Sequence, residues 1–254
     1  MSKVFDSYAA YYDLLYKDKD YKLEVNYILK LLKKYKLHSG DILELGCGTG
    51  KHAEYLSNFG FNLHGIDSSE SMIDIANSQS KQENTSFEIG DVRTYRVNKL
   101  FDVVISLFHV ASYQSSNSDL QDMFLTASSH LISGGIFIFD FWYGPAVLTD
   151  LPSVRIKKMK NKNIDVIRVA EPEIRCNENI VDVNYNIEVK DKNNGQTSFF
   201  SEKHSMRYLF LPELINMLDD LNIEILESLS WMSNDKLSLD SWQGVIVARK
   251  KARI

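Results

Sequence analysis

Asp41-Ile42-Leu43-Glu44-Leu45-Gly46-Cys47-Gly48-Thr49-Gly50 is the stretch whose reading decides the fold. A short apolar strand runs into a turn with glycine at every second position. Lys51 to Phe59 then carries Ala53, Leu56 and Phe59 at helical spacing. Glycines so placed let the backbone turn sharply and let a ligand lie almost on the main chain. The G-x-G-x-G spacing is one residue shorter than the dinucleotide fingerprint G-x-G-x-x-G. Glu44, two residues before the first glycine, would repel a pyrophosphate and hold a cationic ligand.

Outward from this turn, short apolar strands alternate with helical patterns. Tyr21 to Lys36 is predicted helical, with Leu23, Tyr27, Ile28, Leu31 and Leu32 in period, and Gly40 ends it. Strands follow at Phe61 to Ile66, Thr85 to Ile89, Asp102 to Leu107 and Ile136 to Asp140, with helices at Ser69 to Ser78 and Leu120 to Ile132. This order predicts a doubly wound, mainly parallel α/β sheet, in which ligands gather at the carboxyl ends of the strands. Glu44, Asp67, Asp91, His109 and Asp140 all fall at or just beyond such ends.

The pattern changes after Pro152. Val154 to Lys160, Ile164 to Val169, Ile180 to Val189 and Thr197 to Phe210 read as strands, and Val181, Val183, Tyr185, Ile187 and Val189 alternate with polar residues. The expectation is a seven-stranded Rossmann-like domain over residues 1–150 and 211–254, with a small antiparallel sheet inserted over 151–210. Pro212 to Leu221 is predicted helical, and Ile223 to Leu229 and Trp242 to Arg249 would supply the last two main strands.

Composition narrows the function. The 254 residues are 44% hydrophobic, ample for a core, and carry a net charge of −5, which argues against nucleic acid as partner. Cys47 and Cys176 lie far apart, so neither a metal spacing nor a disulfide framework is expected, and a reducing, cytoplasmic setting fits. No apolar run approaches the roughly 18 residues of a membrane span.

Several residues can carry binding chemistry. Asp67 ends the second strand about 20 positions after the glycine turn, where a carboxylate can accept both ribose hydroxyls of an adenosine; it can equally cap the next helix or lie in solvent. Met72 can cover an adenine face or pack in the core. In Gly90-Asp91-Val92, Asp91 can accept the adenine amine and the Val92 amide can donate to the ring; an ordinary Gly-Asp turn is the alternative. His109 can be a base, a cofactor contact or a satisfied histidine, and Tyr113 is a second candidate for proton handling. Trp142 and Tyr143 offer flat faces for stacking, or anchor a loop. His204 and Arg207 can meet an anionic group such as a diphosphate, or lie on a charged strand surface.

The glycine turn strongly resembles motif I of the class I S-adenosylmethionine (SAM)-dependent methyltransferases, whose cofactor has an ammonium and a sulfonium and no phosphate. Tyr8-Ala9-Ala10-Tyr11-Tyr12-Asp13-Leu14-Leu15-Tyr16 with Asp20-Tyr21, the Gly90-Asp91-Val92 turn, Asp140-Phe141-Trp142-Tyr143-Gly144-Pro145 and Glu202 to Phe210 resemble the enzymes that N,N-dimethylate nucleotide-linked 3-amino sugars. The resemblance implies SAM as cofactor and S-adenosylhomocysteine as product. It places Tyr12 and Tyr21 near the methionine end, gives Tyr12 a part in catalysis, and adds Gly46, Cys47, Gly48, Ser68, Gly90 and Leu107 to the cofactor contacts. It implies a small-molecule acceptor, such as an amine on a nucleotide-linked sugar, and a monomer or homodimer. The chain departs from that family after strand four: a histidine that the sugar enzymes carry late in the loop appears here as Tyr113, with His109 four residues earlier. The Asn/Asp-Pro-Pro-aromatic signature of enzymes that methylate planar nitrogens is absent. O-methyltransferases and glycine-type N-methyltransferases share much of this frame. A nicotinamide oxidoreductase, disfavoured by the glycine spacing and Glu44, and a catalytically silent SAM-binding protein are the other classes.

Overall fold

The computed structural model describes Leu14 and residues 19–252. Its elements are α1 (Tyr21–Lys34), β1 (Gly40–Leu45), α2 (Lys51–Ser57), β2 (Phe61–Asp67), α3 (Glu70–Gln79), β3 (Thr85–Ile89), β4 (Phe101–Ser106), α4 (Asn117–His130), β5 (Leu131–Tyr143), α5 (Gly144–Thr149), β6 (Arg155–Lys160), β7 (Ile164–Arg175), β8 (Ile180–Asp191), β9 (Thr197–Leu209), α6 (Leu211–Asp219), β10 (Ile223–Ser230) and β11 (Gln243–Lys250). A 3₁₀ turn spans Val110–Tyr113.

The main sheet runs β3-β2-β1-β4-β5 in parallel. It continues through β11, antiparallel to β5, and β10, antiparallel to β11. Alternation along each strand feeds two cores. Ile42, Val103, Ile105, Ile136, Ile138, Val245 and Val247 face α1 and α2. Leu43, Leu45, Val104, Phe137, Phe139, Ile246 and Ala248 face α4 and α6. Both faces are covered, so these strands read as continuous apolar runs. Local chemistry sets the helix starts. Asp20 accepts the Leu23 amide at 2.8 Å and Ser116 accepts the Asp119 amide at 3.0 Å, each satisfying a first-turn N–H that has no partner within the helix.

The second sheet is β6-β7-β8-β9, antiparallel throughout. It is joined to the first. β9 pairs with β5 at Trp142↔Tyr208 and Tyr143↔Leu209, on the edge that β4 leaves after Ser106↔Phe139. The seven expected strands of the main sheet and the four inserted antiparallel strands are thus joined into one eleven-stranded assembly. The expected aromatic loop after strand five is corrected. Phe141, Trp142 and Tyr143 are strand, because β11 on one side and β9 on the other supply their ladder partners, and Gly144 and Pro145 open α5.

Phe137 is fully buried, packed on Phe124 and Phe139. Phe137→Ala should cost about 3–5 kcal/mol of unfolding free energy, through lost transfer energy and an unfilled cavity. Phe199→Ala, at a residue 74% exposed on β9, should stay within about 0.5 kcal/mol. Urea titration of both variants checks the pair.

Candidate functional site

The glycine turn bends back under the sheet. The Gly46 and Cys47 amides both donate to the Ile66 carbonyl, at 2.8 and 2.9 Å, which ties the turn to the end of β2. Gly46 adopts φ +77°, and a Cβ there would lie 2.5 Å from Val110 Cγ2, so both conformation and space require glycine. Asp67, at the end of β2, accepts the Gly48 amide on Oδ2 and the Ser69 amide on Oδ1, each at 2.9 Å. Burial pushes the Asp67 carboxyl up against the pull of those amides.

A cleft opens at the carboxyl ends of β1, β2, β3 and β4, with an empty volume of about 1050 Å³ including its mouth. That is room for a nucleoside-sized ligand and more. Of the sequence candidates, Gly46, Gly48, Asp67, Ser68, Met72, Asp91, Val92, Leu107, His109, Tyr113 and Trp142 line it. Arg93, Phe108, Val110, Gln114, Tyr185 and Met206 line it too, and sequence reasoning missed them.

The loop after β4 is held from below. Phe108 and His109 both have left-handed backbones, φ 69° and 68°, a conformation uncommon outside glycine. The anchor is Asp140, fully buried inside β5, three residues before the strand ends. Its carboxylate accepts the His109 amide at 3.0 and 3.1 Å and the Gln243 side chain at 2.6 Å, and lies 3.0 Å from His109 Nδ1. Burial would raise the Asp140 carboxyl; the His109 ring and amide and the Gln243 amide outweigh it and hold it below its ordinary value.

Behind the glycine turn, charges are buried together. Glu44 is 1% exposed; its Oε1 lies 3.5 Å from His52 Nδ1, and its Oε2 has no hydrogen-bond partner among the described residues. His52 Nε2 lies 2.8 Å from Glu24, which also pairs with Lys19 at 3.1 Å. Burial pulls the His52 ring down, but Glu24 and Glu44 raise it overall. The Lys19 ammonium sits 3.4 Å from the centroid of the Phe108 ring, and burial keeps it below its ordinary value despite Glu24.

Other candidates are placed differently from the expectation. Glu44, Cys47 and Gly90 do not line the cleft; Cys47 is buried against Gly65, and Gly90 packs on Tyr95 and Ile66. Tyr21 sets its ring edge-on to His52 at 5.1 Å. Tyr143 packs on Phe141, into the core rather than the cleft. Asp91 is gripped by Arg93, whose guanidinium also reaches Asp119 at 2.9 Å and holds the Asp91 carboxyl down. Arg207 is committed to Asn117 at 2.6 Å and Glu213 at 3.2 Å. His204 is buried against Tyr113, with Nδ1 2.6 Å from the phenol oxygen. Tyr12 lies outside the described residues. Among the described residues no group of three His, Cys, Asp or Glu could hold a metal ion, and no helix is long and apolar enough to cross a membrane.

Because the Asp140 carboxyl is lowered in the folded chain, its stabilising contribution is complete above the ordinary carboxylate range and is lost as pH falls through the lowered value. The stability difference between the wild type and Asp140→Asn should therefore shrink below about pH 4, in unfolding titrations run from pH 7 downward.

Comparison with known proteins follows the same geometry. Residues 42–135 match the family model described as a methyltransferase domain. A Streptomyces venezuelae dTDP-3-amino-3,4,6-trideoxy-alpha-D-glucopyranose N,N-dimethyltransferase is 27% identical over 145 residues, 56% of this chain and 60% of that protein. A malonyl-[acyl-carrier protein] O-methyltransferase of Bacillus anthracis is 32% identical over 167 residues, 65% of this chain and 60% of that one. The chain thus spans about three fifths of the length of these curated relatives. Among solved structures, Streptomyces venezuelae DesVI superimposes with a TM-score of 0.80 at 22% identity, covering 96% of this chain and 98% of that one. The SAM-bound amino pentose methyltransferase CalS10 of Micromonospora echinaspora gives 0.77 at 18%, covering 97% and 98%. The fold is that of these structures, and residues 42–135 of the chain match a methyltransferase domain.

Proposed function

We propose that the chain is a SAM-dependent methyltransferase acting on a small polar acceptor, in the first instance an amine on a nucleotide-linked amino sugar. The observation that carries the methyltransferase reading is the buried Glu44 carboxylate beside the glycine turn. It lies just behind the cleft's lining, and one of its oxygens lacks a donor among the described residues, so its field at the turn favours a ligand that brings a cation and no phosphate. Asp67 would take the ribose hydroxyls on lone pairs left free by the Gly48 and Ser69 amides. Met72 and Val92 would flank the adenine, with Asp91 facing its amine. Lys19 and Tyr21, close to Glu44 and His52, would meet the amino acid end.

SAM, when bound, supplies a methyl already activated on its sulfonium. The chain's share of the work is alignment, exclusion of water and handling of the acceptor's proton. Gln114 speaks to the acceptor. It is 1% exposed and lines the cleft; its Nε2 donates to the Val110 carbonyl at 3.0 Å, while Oε1 has no partner among the described residues. That oxygen can only accept, so it suits an amine or hydroxyl and not a carboxylate. The likeness to dTDP-amino-sugar N,N-dimethyltransferases supports the amine. The likeness to malonyl-[acyl-carrier protein] O-methyltransferases favours a second reading, carboxylate O-methylation. The four-stranded sheet, which contributes Tyr185 and Met206, would roof the acceptor.

Calorimetry should show binding of SAM and S-adenosylhomocysteine and none of NAD; the reverse would sink the proposal. Asp67→Ala should weaken SAM by about 1–3 kcal/mol, and unchanged affinity in a folded variant would remove Asp67 from the site.

Product mass spectrometry over dTDP-linked amino sugars, hydroxylated sugars, glycine and malonyl-acyl carrier protein tests the acceptor. Methylation of the amino sugars is expected. Turnover of the malonyl thioester alone would transfer the assignment to the second reading. Gln114→Leu should cost about 1–3 kcal/mol in kcat/KM for the amine while leaving SAM affinity in place.

A further inference from the structure

His109 is the second left-handed residue of the loop after β4, and it lines the cleft. The two edges of its ring meet different surroundings. Nδ1 is buried, and the polar atom set against it is Asp140 Oδ2 at 3.0 Å, close but off the line of a straight hydrogen bond. Nε2 has no hydrogen bond to a described residue, yet it is not enclosed: the side chain is 21% exposed, and that exposure lies away from Nδ1. Two aromatic rings pin the imidazole, Phe108 stacked at 5.5 Å between centroids and Trp142 edge-on at 6.1 Å.

The buried edge sets the tautomer. Asp140 accepts the His109 amide and the Gln243 side chain. These donors and the imidazole hold its carboxyl below its ordinary value, so it is ionised at neutral pH. An ionised carboxylate can only accept. A ring lone pair 3.0 Å from it would face negative charge, whereas an N–H there is attracted. Neutral His109 therefore carries its proton on Nδ1 and presents the Nε2 lone pair to the cleft. The same carboxylate holds the backbone amide of His109, so one group fixes both the ring's place and its tautomer.

We infer that His109 is the base that takes the acceptor's proton, with Asp140 as the positioning residue behind it; this rests on the methyltransferase reading above. An amine acceptor arrives as an ammonium at neutral pH. It gives one proton to His109 Nε2. The nitrogen lone pair so released forms the new N–CH₃ bond. The bond from that methyl to sulfur breaks with its electron pair left on sulfur, so the sulfonium becomes a neutral thioether. The imidazolium, balanced by Asp140, returns its proton to solvent through the exposed edge before the next transfer. Losing the proton also removes the repulsion between an ammonium and a cationic cofactor.

Two measurements on the full chain test this. Long-range ¹H–¹⁵N spectra of the S-adenosylhomocysteine complex should show neutral His109 as the Nδ1–H tautomer. The Nε2–H tautomer would overturn the base, since the cleft edge would then carry no lone pair. In Asp140→Asn a side-chain amide can donate to Nδ1, so the folded variant should convert the ring to Nε2–H; an unchanged tautomer would remove Asp140 from its role. The second measurement is turnover of an amino sugar against pH. His109→Asn keeps a residue that tolerates the left-handed backbone and keeps the amide that Asp140 holds. It should lower kcat about 10²-fold at pH 7, the lower end of what a positioned base supplies, with KM and SAM affinity nearly unchanged. The deficit should close toward about pH 10, where the amine brings its own lone pair. Lys19, whose ammonium sits on the Phe108 ring, titrates in both proteins and cancels in the ratio. Wild-type kcat at pH 7, or a deficit that persists at high pH, would reduce His109 to a packed wall residue. Methylation confined to the malonyl carboxylate, which has no proton to give, would sink the base and leave methyl transfer standing. With no acceptor methylated the methyltransferase reading fails; the Nε2–H tautomer with turnover intact sinks the base alone.

Discussion

The site depends on one buried carboxylate. Asp140 sits inside β5 with no exposure to water, and burying a charge there is tolerable only because donors surround it. Those donors come from two other parts of the chain: the His109 amide in the loop after β4, and the Gln243 side chain at the start of β11. One group therefore fixes the last strand of the sheet and the loop that carries Phe108, His109, Tyr113 and Gln114. It also compensates for two successive left-handed residues, a conformation that would not persist without such a clamp. Removing the charge would loosen the wall of the cleft as a whole.

Around this clamp the surroundings of the cleft divide by polarity. Behind the glycine turn, outside the lining, lie Glu44, Glu24, His52 and Lys19, a buried set of mixed charge in which Glu44 alone keeps an oxygen without a donor among the described residues. Toward the second sheet lie Tyr113, Trp142, Tyr185 and Met206, mostly apolar, with polar tips that meet His204 and the cleft. A cationic cofactor matches the first half. Under the proposed function, a small acceptor would stack against the aromatic faces of the second.

Much of this was legible in the sequence. The order of the first five strands, the turn, and the placing of Asp67 and Asp91 at strand ends follow from apolar runs broken at acids and glycines; Asp140 was misplaced, because β5 runs on through Phe141, Trp142 and Tyr143. Strand parity could have gone further. His204 and Arg207 are three apart on one strand, so they face opposite ways and cannot meet one diphosphate. His204 shares a face with Met206 and Tyr208, while Arg207 turns to Asn117 and Glu213. Gln114 and Phe108 carried no local signal. Their role comes from a backbone path that only Asp140, some 30 residues on, imposes. The Glu44–His52 contact was equally hidden, since it needs the angle between β1 and α2.

The splice between the two sheets has a mechanical consequence. Tyr208 and Leu209 have no exposed surface, and they are the residues by which β9 joins the edge of β5. Swinging the roof away would break that ladder and bring two large apolar side chains into water. Under the proposed function the second sheet is thus a fixed gauge rather than a door: its width is set when the chain folds, and cofactor and product would pass by smaller motions at the mouth.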